Sequence, residues 1–242
     1  MRILVISDIH ANITALEAVL SHVGEVDATW CLGDLVGYGP DPNECIARIR
    51  QLPNLVCLLG NHDAAALDQI EIDNFNPDAR TALYWTRQVL THESREFLID
   101  LPEVVVQGDV TLVHGSPRQP VWEYLLDLRI ITINFDYFDT PYCFAGHTHL
   151  PAYFCLEEDS PGVGWIKPQP ATQLPLKARA ILNPGSVGQP RDRNVLASYA
   201  IYTTGQDLWE FQRVRYDIPA VQRRMEEAQL PSRHIQRLTG GW

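Results

Sequence analysis

The chain has 242 residues, 45% of them apolar and 20% charged, which allows one large globular domain or two small ones and is ordinary for a soluble protein. A formal net charge of −11 with no long Lys/Arg run excludes a nucleic-acid polymer as the expected partner, while a small anion stays admissible because a bound cation reverses the local sign. Five cysteines with no CxxC pair argue against a disulfide framework or a thiolate zinc site and point to a reducing cytoplasm; the opening MRILVISD lacks a signal-peptide core, and no stretch is long and apolar enough to span a membrane.

RILVIS (2–7) is a short apolar run with β-branched residues and predicts a buried strand. Asn12 caps the helix that follows, where Ile13, Leu16 and Val19/Leu20 recur at helical spacing. DATWCL (27–32) predicts a second strand. Asp41-Pro42 starts a helix, a capping carboxylate before Pro at the first helical position, and that helix extends to about Leu52. NLVCLL (54–59) predicts a third strand. Asn76-Pro77 repeats the start signal, TALYWTRQVL continues it, and a short helix follows at 93–99. Strand alternating with helix over this half predicts a sheet of parallel strands. The second half predicts strands at 103–107, 110–114, 142–145, 151–156, 179–182, 197–203 and 207–215, with only 120–138 partly helical. Gly108-Asp109 predicts a tight hairpin. The stretch 157–176, rich in Pro, Gly and acids, predicts a surface loop. A helix from about Ile218 to Gln229, capped by Asp217, closes the chain. The expected fold is α/β: two packed sheets flanked by helices, in one domain over residues 1–242.

Five predicted strands end in polar clusters: Asp8-Ile9-His10, Gly33-Asp34, Gly60-Asn61-His62-Asp63, His114-Gly115 and Gly146-His147-Thr148-His149. Five of the eight histidines lie in these clusters; His22, His92 and His234 fall on predicted helices or the tail and call for no special account. The carboxyl edge of an open α/β sheet is where ligands bind. One Asp or His at a strand end is a cap or a turn residue. Five such clusters at one edge would gather carboxylates and imidazoles with no partner, which is costly when buried. Oxygen and nitrogen donors without thiolate suit Mn, Fe, Zn, Co or Ni better than Ca. Asp8, His10, Asp34, Asn61, His114, His147 and His149 offer more donors than one ion needs, so two divalent ions are expected, and a carboxylate such as Asp34 can bridge them.

The set DIH (8–10), GD (33–34), GNHD (60–63), HG (114–115) and GHTH (146–149) resembles the calcineurin-like metallophosphoesterase superfamily, in order and over about 140 residues. GDLVGYGPDPNE, HGSPRQPVWEYL and NPGSVGQPRD resemble a small bacterial phosphodiesterase-like branch and extend the likeness over most of the chain. The resemblance implies mixed sheets in a four-layer α/β/β/α sandwich. It implies that Asp8, His10 and His149 hold a first metal, that Asn61, His114 and His147 hold a second, and that Asp34 bridges. His62 matches the catalytic histidine, and Asp63 the acid that orients its imidazole.

The expected activity is metal-dependent hydrolysis of a small phosphate ester, by attack of a hydroxide bridging two ions on phosphorus. A phosphodiesterase of nucleotide or dinucleoside-polyphosphate type is the first expectation. A phosphomonoesterase or protein phosphatase is the alternative, and a non-catalytic scaffold of the same fold is a further one. The Asp-Arg that eukaryotic protein phosphatases of the superfamily carry after GD is absent, and Asp63 stands where they have Glu. Arg191, in GQPRD, either reaches a substrate phosphate or is a solvated loop residue. Trp122 and Tyr124 either line a pocket or pack locally, and the loop from Tyr38 to Pro42 is a candidate wall of the site.

Overall fold

The fold is that of a computed structural model, which describes residues 1–156 and 162–242. In chain order the elements are β1 (Arg2–Ile6), α1 (Ile13–Val23), β2 (Ala28–Cys31), α2 (Pro42–Ile49), β3 (Leu55–Cys57), α3 (Asn61–Ala66), α4 (Pro77–Val89), α5 (His92–Ile99), β4 (Val104–Gln107) and β5 (Val110–Val113). There follow α6 (Leu128–Asn134), β6 (Tyr142–Phe144), β7 (Ala152–Leu156), β8 (Val163–Ile166), β9 (Thr172–Pro175), β10 (Ala180–Asn183), β11 (Ala197–Thr203), β12 (Leu208–Val214), α7 (Ile218–Glu227) and α8 (Ser232–Gly240). The strands form two six-stranded sheets, in the orders β3-β2-β1-β11-β12-β9 and β4-β5-β6-β10-β7-β8. Both are mixed: β1, β2 and β3 run parallel while β11 is antiparallel to β1, and β5, β6 and β10 run parallel while β4 and β7 flank them antiparallel.

The two-residue period of a strand explains the layers. Ile3 and Val5 of β1 face the second sheet and pack with Trp30, Leu112, Phe144, Leu182, Tyr202 and Trp209. Leu4 and Ile6, on the other face, pack under α1 and α2 with Leu16, Val19, Ile46 and Ile49. On the outside of the second sheet, Val113, Cys143 and Ile181 pack against Ile131 and Phe135. The result is a four-layer helix–sheet–sheet–helix sandwich. Phe144 and Trp209, both fully buried, meet edge to face at 4.7 Å between the sheets, a contact worth about 1 kcal/mol beyond the area it buries.

Caps and turns expected from sequence are present: the Asn12 side chain accepts from Ala15 N–H, Asn76 from Ala79 N–H and Asp217 from Ala220 N–H. Gly108-Asp109 is the two-residue turn between Gln107 and Val110, with Gly108 at φ +57°. Two expectations need correction. The predicted loop 157–176 contains β8 and β9, which pair as outer strands with β7 and β12; residues 157–161 of that stretch lie outside the described residues. Edge strands with half-exposed faces carry too little apolar alternation to stand out from a loop. The GNHD motif opens the helix α3. The chain closes on a second helix, α8, which packs Leu238 against Val221 and Met225 of α7. Among the described residues, no helix is long and apolar enough to cross a membrane.

Candidate metal centre

The five polar clusters meet at the carboxyl ends of β1, β2, β3, β5 and β6. Asp8, His10, Asp34, Asn61, His62, His114, His147 and His149 are all at most 3% exposed. The chain turns sharply to aim them: Asp8, His10, Asp34, His147 and His149 all have φ between +48° and +64°. That left-handed backbone costs L-residues roughly 1–2 kcal/mol each, and such strain persists where the surroundings hold it. Gly60 is needed here, because a Cβ on it would strike Asp34 Oδ1.

Ligand-type atoms fall into overlapping groups. Asp8, His10 and His149 form one, Asp34, His114 and His147 another, and His10, Asp34 and His62 a third. Asn61 joins the second, its Oδ1 lying 3.1 Å from His114 Nε2. Asp34 is common to both sides: its Oδ2 lies 3.6 Å from His10 Nε2 and 3.4 Å from His114 Nε2.

Backbone carbonyls fix the imidazole tautomers. His10, His114 and His149 each donate Nδ1–H, to the carbonyls of Val36 (3.1 Å), Leu32 (2.8 Å) and Gln189 (2.6 Å). His147 is reversed, donating Nε2–H to the Trp122 carbonyl at 3.1 Å. A neutral imidazole with one nitrogen donating has a lone pair on the other. Those lone pairs converge: His10 Nε2 and His149 Nε2 are 3.1 Å apart, and His114 Nε2 and His147 Nδ1 are 3.2 Å apart. Asp8 Oδ1 and Asp34 Oδ2 are buried with no hydrogen-bond partner among the described residues. Acceptors gathered this closely are stabilised by cations between them. The residues therefore fit divalent metal.

The protonation energetics agree. Burial pushes the Asp8 carboxyl up to about 7 and holds His10, His147 and His149 well below the ordinary imidazole range. Burial also works against charge on Asp34 and His114, but each offsets it for the other. Asp34 is held well below the carboxylate range and His114 is raised to about 9. Without a cation, that proton and the nearby Arg191 guanidinium offset the carboxylate charge at the centre of the cage.

Other sites depart from expectation. Asp63 does not touch the His62 ring. Its Oδ1 accepts from the N–H of Leu35 (2.9 Å) and Val36 (3.1 Å) and its Oδ2 from Gly60 N–H (3.0 Å). It is the third residue of α3 and ties two site loops together, because backbone donors at the helix start lie closer than the imidazole does. His62 Nδ1 is buried without a partner among the described residues, and burial pushes the ring down to about 4. The ring is held by packing, edge-on to Phe75 at 5.0 Å and tilted on Tyr38 at 4.3 Å. Arg191 is not a solvated loop residue; its Nη2 donates to Tyr38 Oη (3.3 Å) and Gln189 Oε1 (3.1 Å). Tyr124 stacks on the His147 ring at 3.8 Å, and Trp122 packs on Phe75 at 5.0 Å. His234 needed an account after all: it is buried, and its ring lies 4.4 Å from Tyr38. Asn183 also escaped the sequence reading; its Nδ2 donates to the Gly146 carbonyl (2.6 Å) and Thr148 Oγ1 (3.1 Å), holding the GHTH turn. The NPGSVGQPRD stretch that contains it was the available signal. A surface cavity of about 650 Å³ lies at the amino ends of the strands, lined by Arg2, Asp27 and Pro53, and none of the ligand groups above lines it.

Residues 1–207 match the family model of the calcineurin-like phosphoesterase superfamily domain. The chain belongs to that superfamily. As a member, it is a metal-dependent phosphoester hydrolase. The phosphoesterase is similar to a crystal structure of a metallophosphoesterase from Sphaerobacter thermophilus, with 48% identity, a TM-score of 0.91 and coverage of 100% of this chain and 99% of that one. It is 37% identical to an uncharacterized protein of Methanocaldococcus jannaschii over 95% of this chain and 93% of that protein. It is 43% identical to a symmetrical bis(5'-nucleosyl)-tetraphosphatase of Erwinia tasmaniensis, but over only 56% of this chain and 57% of that protein.

Proposed function

We propose that the phosphoesterase is a binuclear enzyme that hydrolyses small phosphodiesters of nucleotide or dinucleoside-polyphosphate type. The observation that carries this is the pair of converging lone-pair sets joined by Asp34. Asp8, His10 and His149 would hold one divalent ion, Asn61, His114 and His147 the other, and Asp34 would bridge. Two such ions supply Lewis-acid charge to the phosphoryl oxygens and acidity to a water. The protein's residues do the rest. The carbonyls of Val36, Leu32, Gln189 and Trp122 keep the imidazoles in the ligating tautomer and orientation. His62 supplies an N–H to a phosphoryl or leaving oxygen, and the neutral ring that burial favours already carries one such donor. Arg191 adds positive charge beside Tyr38. Tyr124, exposed on one face and stacked on His147, offers a platform for a base.

The tetraphosphatase named above supports the substrate class over the part of the chain it matches. The net charge of −11 argues against a nucleic-acid polymer. The free cysteines, four of them buried, support a cytoplasmic location. Residues of α8 border the site, which supports one functional domain over 1–242.

The test is turnover by the manganese-loaded chain of bis(p-nitrophenyl) phosphate, p-nitrophenyl phosphate and a dinucleoside tetraphosphate. Hydrolysis of the diester and the dinucleotide in preference to the monoester is expected. Preference for the monoester would replace the reading with a phosphomonoesterase, and no turnover of any would favour a scaffold. Asp34→Asn should lose bound metal and activity together; full metal occupancy in that variant would remove Asp34 from the bridging position.

A further inference from the structure

Two arginines at the edge of the metal centre have no carboxylate among the described residues. Arg191, in the segment between β10 and β11, and Arg237, on α8, both donate to one neutral oxygen. Arg191 Nη2 lies 3.1 Å and Arg237 Nη1 3.2 Å from Gln189 Oε1. The Nε of each is buried with no partner among the described residues. The chain treats its other sequestered arginines differently. Arg213 pairs with Asp192 at 2.5 Å, Arg224 with Asp41 at 2.8 Å, and Arg179 donates to the carbonyls of Phe135 and Phe138.

The arrangement is unfavourable as it stands. Burial first, and then the charge of Arg191, bring Arg237 down to about 10. The rings of Tyr38 and Trp242 lie 5.6 and 5.1 Å from the guanidinium carbons of Arg191 and Arg237. They offset part of the charge but leave the Nε–H donors without partners among the described residues. A guanidinium has five donors in a planar fork, which suits two oxygens of a phosphoryl group. The location is equally specific. The Gln189 carbonyl is the one that orients His149, and the Tyr38 ring lies 4.6 Å from His10 and 4.3 Å from His62. The pair thus borders the centre on the side of His10 and His149. Arg237 also lies beyond residues 1–207, the part that matches the family model.

We propose that Arg191 and Arg237 form a subsite for a second, non-reacting phosphoryl group, so that the substrate carries at least two linked phosphoryl groups. This rests on the phosphoesterase reading above and narrows it from phosphodiesters in general to polyphosphate esters. One phosphoryl group lies on the metal centre for attack, and its neighbour takes the two guanidinium forks in place of the Gln189 amide.

Calorimetric titration of the manganese-loaded full chain tests this, with methylenediphosphonate as a non-hydrolysable two-phosphorus probe and inorganic phosphate as the one-phosphorus control. The quantity read is the ratio of the two affinities. The wild type should favour the diphosphonate, and Arg237→Met, which keeps the aliphatic stem, should cut that ratio about tenfold, the worth of a lost bidentate contact. The diphosphonate's own pull on manganese is the same for both proteins and cancels in the comparison. Melting temperature and metal content establish that the variant is folded and loaded. If it is not, Arg237→Lys carries the test: an ammonium cannot make two parallel bonds, and the ratio should still fall about threefold. A ratio that survives substitution in a folded, loaded protein overturns the subsite, as does a wild type that binds both probes alike. Failure of the underlying reading shows separately, as no turnover of bis(p-nitrophenyl) phosphate by the same wild-type preparation.

Discussion

His62 is held by ring contacts with Tyr38, Phe75 and His10, and its removal leaves the seven proposed metal-binding side chains in place. His62→Ala should retain near-normal metal by elemental analysis while kcat falls by about 10²–10⁴, the usual worth of a positioned proton donor. An unchanged kcat would remove His62 from the chemistry. Asp63 is the contrasting case. Its carboxylate accepts three backbone N–H bonds from Gly60, Leu35 and Val36. Asp63→Asn turns an amide N–H₂ toward at least one of those donors, so stability should drop by about 2–3 kcal/mol in urea unfolding. If Asp63 instead acted through His62, the pH profile of kcat would move while stability held. The motif GNHD singled out both residues. It could not tell which way the carboxylate points, because that depends on residues 35 and 36, which are remote in sequence.

At the scale of elements, α8 changes the account of the site most. It brings His234 under the Tyr38 ring. Neither nitrogen of His234 has a partner with hydrogen-bond geometry among the described residues. Burial first, and then the charge of Arg237, lower its ring to about 3 from 6.5, against an opposing pull from the Asp78 backbone. The unfolded chain thus binds this proton at a higher pH than the folded one does. Its contribution to stability is complete above pH 6.5 and is lost as pH falls toward 3, about 2 kcal/mol of it by pH 5. His234→Phe should flatten that slope: wild type should lose about 2 kcal/mol more than the variant between pH 8 and pH 5 by urea unfolding, and equal losses would show His234 is not the titrating group. The helix was missed because RHIQRL carries four polar or charged residues and only two apolar ones, and its buried face becomes apolar only against α4 and α7.

For the whole molecule, the two sheets hold five strand ends so that seven acceptor-bearing side chains meet in one buried space. Folding therefore carries an electrostatic cost that cations offset. Metal that binds the folded chain alone adds about 2.7 kcal/mol at a free concentration 100 times its Kd. Stripping the metal with a chelator should accordingly lower the melting temperature by several degrees, and manganese or zinc should restore it. A melting temperature indifferent to both would mean that the converging lone pairs do not bind metal. Calcium should restore it less well, since nitrogen donors suit it poorly.

The sequence alone determined the strands of both sheet centres, the caps of α1, α4 and α7, and which acidic and imidazole side chains gather at the strand ends, because each of these rests on local pattern: short apolar runs, side chains that accept from the next turn, and donors placed where strands end. Only the tertiary structure decided that Asp63 braces loops and leaves His62 to packing, that 163–175 pairs as edge strands, and that α8 closes over Tyr38 with an arginine that has no carboxylate among the described residues. Each of these depends on which distant backbone donor, strand edge or ring lies nearest once the layers close, and separation along the chain says nothing about that distance.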